Sequence, residues 1–206
     1  MTKSEKFWDK SAYNFFIEGE KEKQSYINII DRIKKYLKTS DIVLDLGCGP
    51  GLISNEIADY VKFIYAIDIS SKMIEIAKIN ADFRNIQNID YAYSTIFDDK
   101  YKNGSFDIIL AFNILHLLDD NQKTMQHIND LLKPGGLIIS VTPCIGERIF
   151  LNISISLLSF IGKIPKIKSF KANELKESIS NRNFEIIEND RMPDGIIEYI
   201  IVAKRI

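Results

Sequence analysis

The stretch VLDLGCGPG, residues 43–51, decides how the rest of the chain is read. An apolar run reaches Asp45, and Gly47, Gly49 and Gly51 follow at alternate positions. Glycine tolerates positive φ and lets a ligand approach the backbone closely. The segment after it reads as a helix, whose N-terminal N–H groups suit a carboxylate or a phosphate. Asp68 ends the next β-rich run, 21 residues after Gly47, where an acid can accept both hydroxyls of a ribose. Glycines and acid together point to a nucleotide-like ligand.

Asp45 selects among such ligands. Beside a pyrophosphate, at about 5 Å and an effective dielectric near ~20, each like-charge pair costs about 3 kcal/mol. The dinucleotide fingerprint GxGxxG also wants Gly or Ala where this chain has Leu52. A nicotinamide cofactor is therefore disfavoured. A ligand carrying an ammonium and a positive sulfur would be attracted by the same carboxylate.

Outward from this loop the pattern alternates. Tyr26 to Leu37 carries apolar residues at 26, 29, 30, 33 and 37, a helical stripe. Strands are expected at 42–46, 63–67, 89–93, 106–112 and 137–142, and helices near 51–60, 71–80, 120–132 and 172–182. Asp119 or Asp120 is the expected N-cap of the third of those helices. KPGG (133–136) reads as a helix stop with a tight turn before the fifth strand. Unbroken apolar runs, IIL at 108–110 and LII at 137–139, argue for a parallel sheet covered on both faces. FEIIE (184–188) and EYIIVAK (198–204) are joined by DRMPDGII with no room for a crossover helix, so they must pair antiparallel.

Residues 143–171 form an insertion of unusual length, the kind that serves as a lid or binding loop. Ile153, Ile155 and Leu157 alternate as in a strand, whereas Phe150, Leu151, Leu157, Leu158 and Ile161 fit a helix face. The two periods leave its conformation open.

Composition bounds the partners. The 206 residues include 27 basic and 28 acidic side chains, a net charge of -1, without the basic excess that binding along a phosphate backbone requires. Lys163, Lys166, Lys168 and Lys171 are the nearest approach to a basic patch and read as a solvated edge. Cys48 and Cys144 have no CxxC companion, which gives neither a zinc signature nor a disulfide framework and suits a reducing cytoplasm. The opening MTKSEKFWDK has no apolar core of a signal peptide. IFLNISISLLSFIG (149–162) is too short to span a bilayer.

LDLGCGPG followed by AIDIS (66–70) resembles the first two motifs of class I S-adenosylmethionine-dependent methyltransferases. The resemblance runs on through NGSFDIILAFNILHLL (103–118) and LLKPGG (131–136) to the closing hairpin, and is nearest to small-molecule enzymes of quinone biosynthesis. It implies an α/β, three-layer Rossmann-like fold, with a seven-stranded, mostly parallel sheet ending in an antiparallel hairpin. One domain would cover 1–206, with an N-terminal helical cap over 1–40. S-Adenosylmethionine would be the methyl donor, leaving S-adenosylhomocysteine, with no metal. Gly47, Cys48 and Gly49 would lie along its methionine part, Asp45 near its amino group and Asp68 on the ribose. Ile69 and Met73 would flank the adenine.

One departure concerns the adenine amine. Relatives carry an acid and a small residue after the third strand, where this chain has Thr95 and Ile96, a hydroxyl and a backbone N–H. Asp98 or Asp99 is the alternative. Asn113, at the end of strand 106–112, would sit beside the donor, and FNIL lacks the Asn/Asp-Pro-Pro-aromatic signature of amide and adenine-amine methyltransferases.

Methyl transfer from a sulfonium needs alignment and exclusion of water, with a base chiefly for hydroxyl acceptors. His116, with an ordinary pKa near ~6.5, is the candidate base; the competing reading is a histidine packed beneath its loop. His127 reads as a surface residue, and Cys48 as a small packing residue with no base beside it. Trp8 and Tyr13 are lid candidates in FWDKSAYNFF (7–16), or else that segment is a helix anchored by its aromatics. The apolar insertion suits an apolar acceptor, a peripheral membrane contact or a dimer interface. The expected activity is methylation of O, N or S of a small apolar or aromatic molecule by a monomer or homodimer. A tRNA or protein methyltransferase, or a non-catalytic donor-binding protein, is the alternative.

Overall fold

The computed structural model describes every residue except Glu22 and 193–196, and of residues 20, 21 and 23–25 the backbone alone. The chain divides into two compact units, Met1–Asp98 and Asp99–Ile206. Among the described residues the sheet has seven strands.

The first unit contains α1 (Lys3–Lys21), α2 (Lys23–Ile33), β1 (Ile42–Leu46), α3 (Leu52–Ile57), β2 (Phe63–Asp68), α4 (Ser71–Phe83) and β3 (Ile89–Tyr93). β1 pairs parallel with β2, and β2 with β3, Asp45 standing opposite Ala66 and Asp68 opposite Tyr93. Val43, Leu44, Ile64, Ala66 and Ile67 are buried, so β1 and β2 bury consecutive apolar residues, as a sheet covered on both faces requires. Helix 51–60 is shorter than expected: α3 stops at Ile57 and a 3-10 turn, Ala58–Tyr60, follows.

The second unit contains β4 (Phe106–Phe112), α5 (Asn121–Leu131), β5 (Leu132–Pro143), α6 (Ile149–Phe160), α7 (Ala172–Ser180), β6 (Phe184–Arg191) and β7 (Glu198–Arg205). β4 and β5 run parallel; β7 lies antiparallel to both β5 and β6. The mostly parallel sheet with an antiparallel end is thus as expected. Of the connection DRMPDGII, residues 193–196 lie outside the described residues. Asp120 caps α5, its side chain accepting from the Lys123 N–H at 2.9 Å.

One local expectation is corrected, and one open conformation is decided. KPGG does not stop α5, because Leu132 is already extended and pairs with Phe106. Residues 133–136 instead bulge out before pairing resumes at Ile108–Leu137, and Lys133 holds Asp107 at 2.8 Å across the bulge. The insertion's conflicting periods resolve into a helix, α6, flanked by a 3-10 turn (Ile145–Glu147) and an extended run.

Candidate functional site

β1 delivers Asp45 to the start of the glycine turn. Gly47, Gly49 and Gly51 have φ of 73°, 53° and 80°, a left-handed path that side chains other than glycine rarely take. Gly47 and Cys48 donate their N–H groups to the Ile67 carbonyl at 2.8 and 3.0 Å, tying the turn to β2. Gly51 has a second reason to be glycine. A Cβ there would meet Tyr91 Oη at 2.4 Å, and that hydroxyl donates to Asn55 Oδ1 at 2.9 Å. At Gly49, itself buried, a Cβ would meet nothing nearer than a Phe15 ring atom at 4.0 Å, an ordinary contact.

Asp68 closes the turn. Its carboxylate accepts from the Gly49 N–H at 3.0 Å and from the Ser70 N–H at 2.8 Å. Each carboxylate oxygen keeps a further lone pair, enough for two hydroxyls. Burial raises its pKa against the pull of those N–H donors. Asp45 is more deeply enclosed and takes a 2.5 Å bond from Ser54 Oγ. Burial pushes its carboxyl up to about 6, the Ser54 bond opposing and Asp68 assisting. Burial, with both carboxylates, holds the Cys48 thiol well above its usual range.

The adenine candidates gather around the end of β2. The Ser94 N–H donates to the Asp68 carbonyl at 3.1 Å, bringing the segment after β3 alongside. There Thr95 is exposed and Ile96 buried, while Asp98 accepts from Ser94 Oγ at 2.9 Å. Ile69 is half-buried, and Met73 is buried in the first turn of α4, its N–H bonded to the Ser70 cap.

Sequence reasoning missed the anchor of α1. Asp9 accepts from Ser70 Oγ at 2.6 Å and from the Lys72 N–H at 3.1 Å, so a residue of α1 caps α4 beside Asp68. Ala12 is buried, and Gly19 abuts Leu52 of α3, which together with Phe15 carries α1 over the glycine turn. Both readings of FWDKSAYNFF thus share one helix. Trp8 is half-buried and stacks edge-on against Phe15 at 6.1 Å, whereas Tyr13 is 68% exposed. A lone aspartate six residues before a pair of aromatics gives no sequence signal for such a cap.

The second unit holds Asn113 and His116. Asn113 follows β4 at φ 52°, a conformation that asparagine tolerates better than most, and its N–H is fixed by the Val141 carbonyl at 2.8 Å. His116 lies in a 3-10 turn, Leu115–Leu117. Burial lowers its pKa to about 4, which corrects the expectation of an ordinary imidazole: it is neutral at neutral pH. Buried without a hydrogen-bond partner are His116 Nδ1, Asn113 Oδ1, Ser140 Oγ, Thr142 Oγ1 and both polar atoms of the Asn121 side chain. Ser140 and Thr142, two apart on β5, share a strand face. Orphaned buried polar atoms cost about 1–3 kcal/mol each. His127, expected at the surface, is half-buried on α5.

A family model described as Methyltransferase domain matches residues 37–195. The chain belongs to that methyltransferase family. Its activity class is S-adenosylmethionine-dependent methyl transfer. A ubiquinone biosynthesis O-methyltransferase of Rickettsia bellii is 29% identical over 167 residues, 78% of this chain and 69% of that one. Among solved structures, a SAM-dependent methyltransferase from Methanosarcina mazei superposes with a TM-score of 0.71 at 22% identity, covering 84% of this chain and 96% of that one. The geranyl diphosphate C-methyltransferase of Streptomyces coelicolor, solved with S-adenosyl-L-homocysteine, gives 0.73 at 13% identity, over 90% and 76%. Both show the fold that this methyltransferase shares.

Proposed function

We propose that this methyltransferase holds S-adenosylmethionine at the glycine turn of its first unit and methylates O, N or S of a small apolar or aromatic acceptor. The observation that carries the donor site is the convergence of Asp45, Gly49 and Asp68 on one left-handed glycine turn. The residues fit that ligand: Asp68 has lone pairs for ribose hydroxyls, and Asp45 offers a carboxylate to an ammonium group. Gly47 and Cys48 present backbone to the methionine part. Ile69, Met73, Thr95 and Ile96 belong to the adenine, Ile96 through its N–H because its side chain is buried. When bound, the sulfonium supplies an activated methyl group to a correctly placed nucleophile.

The chain's own part is alignment and desolvation. The half-buried Trp8 and exposed Tyr13 on α1 are the candidates for shielding the donor from water. In the second unit His116, kept neutral by burial, accepts a hydrogen bond at Nδ1 from an acceptor hydroxyl and fixes its direction. At a pKa of about 4 it holds a proton poorly, so its work is orientation more than proton storage. Asn113 adds a second unpartnered acceptor atom. The Rickettsia relative, named for O-methylation in ubiquinone biosynthesis, supports a lipophilic phenol.

A screen of lipophilic phenols, amines and thiols with labelled donor tests this reading. Methylation of a phenol, reduced in His116→Ala with donor affinity unchanged, is expected. Methylation of tRNA or protein and of none of the small molecules would contradict it.

A further inference from the structure

Helix α6 is amphipathic in the wrong sense for a protein surface. Its half-buried face consists of Leu151, Asn152, Ile155 and Ser159, and the Asn152 Oδ1 accepts from Ser169 Oγ at 2.5 Å. Outward, at 3.6 residues per turn, Ile149, Phe160, Ile153, Leu157, Phe150 and Ile161 fill one continuous arc of about 120°. All six are more than half exposed, and Phe150 and Phe160 reach 88%. A contiguous apolar patch of this kind marks an interaction surface.

Charge identifies the partner. Residues 148–171 carry Arg148, Lys163, Lys166, Lys168 and Lys171 and not one acid, whereas the rest of the chain has 22 basic against 28 acidic side chains. All five cations are exposed. The flanking carboxylates are turned to other work: Glu147 accepts from the Ala172 N–H and Glu174 from the Lys171 N–H, both at 3.0 Å. The lysines that read as a solvated edge in the sequence thus rim an exposed greasy helix.

We infer that α6 and its cationic rim dock this methyltransferase on an anionic membrane surface, the helix lying in the interface plane. The apolar arc enters the acyl boundary while the lysines meet acidic headgroups. At 12 residues the helix cannot cross a bilayer, and among the described residues no helix is long and apolar enough to do so. A two-fold dimer through the same face would set five cations against five, so self-association is disfavoured. Nucleic acid would use the cations and leave the apolar arc in water.

Co-sedimentation of the full chain with vesicles tests this independently of donor binding or catalysis. Binding is expected to vesicles with about a third phosphatidylglycerol, about 100-fold or more above phosphatidylcholine alone, and to weaken as salt rises. Phe150→Ser with Phe160→Ser, both on exposed positions, should lower partitioning roughly 100-fold at an unchanged thermal midpoint. Lys163→Gln, Lys166→Gln and Lys171→Gln together should do the same for anionic vesicles alone, about 100-fold. No binding, equal binding to both vesicles, or a dimer in sedimentation that the double Phe variant abolishes would overturn the inference.

Discussion

Ser54 Oγ donates a 2.5 Å hydrogen bond to Asp45, with both side chains buried. One hydroxyl does not repay the desolvation of a carboxylate, so the acid's folded pKa rises to about 6 from 3.8. Between those values the folded state binds a proton that the unfolded state has lost. The stability this confers is full below 3.8 and fades as pH rises through about 6. Above that, the ionised acid costs the ligand-free fold about 3 kcal/mol.

Asp45→Asn is therefore expected to stabilise the ligand-free protein at neutral pH by about 1–3 kcal/mol in urea unfolding, while weakening donor binding. In the wild type, protons should compete with the donor's ammonium, so affinity falls up to tenfold per unit below pH ~6. Calorimetric titrations on both sides of that pH check it.

Gly51→Ala meets two penalties at once, a φ of 80° and a Cβ 2.4 Å from Tyr91 Oη. A loss of about 3 kcal/mol is expected. Gly104→Ala, at φ 66° with nothing within 4 Å, should cost only about 1–2 kcal/mol. Chemical denaturation of the two variants separates backbone strain from packing.

Asp9→Ala removes the α1 residue that caps α4. A loss of about 1 kcal/mol is expected, with faster amide exchange across α1 and little change in β4 or β5.

Much of this was legible in the sequence, and for physical reasons. VLDLGCGPG and Asp68 are a local pattern whose spacing sets geometry directly, and the strand–helix alternation reads from periodicity. Asp9 was not legible because its partners lie more than 60 positions away. α6 was ambiguous because apolar residues stand on more than one of its faces, Leu151 and Ile155 half-buried while Ile153 and Leu157 are exposed. His116 was found by position, but its depressed pKa depends on enclosure that no motif encodes.

His116 gives a second pH dependence, of opposite sign to Asp45. Its folded pKa, about 4, lies below the ordinary 6.5, so the unfolded state binds the proton first. Stability should be fully retained above pH 6.5 and fall by up to about 3 kcal/mol as pH drops toward 4. His116→Gln should flatten that part of the urea-midpoint profile.

The central claim is that the turn from Asp45 to Gly51, closed by Asp68, binds S-adenosylmethionine. Titration calorimetry of wild type and Asp68→Ala with S-adenosylmethionine, and of wild type with NADH, tests it most directly. The account predicts one donor site in the wild type, NADH weaker or absent, and a loss on the order of 2–4 kcal/mol in the variant at a retained fold. Tighter binding of NADH, or donor affinity unchanged in Asp68→Ala, would contradict it.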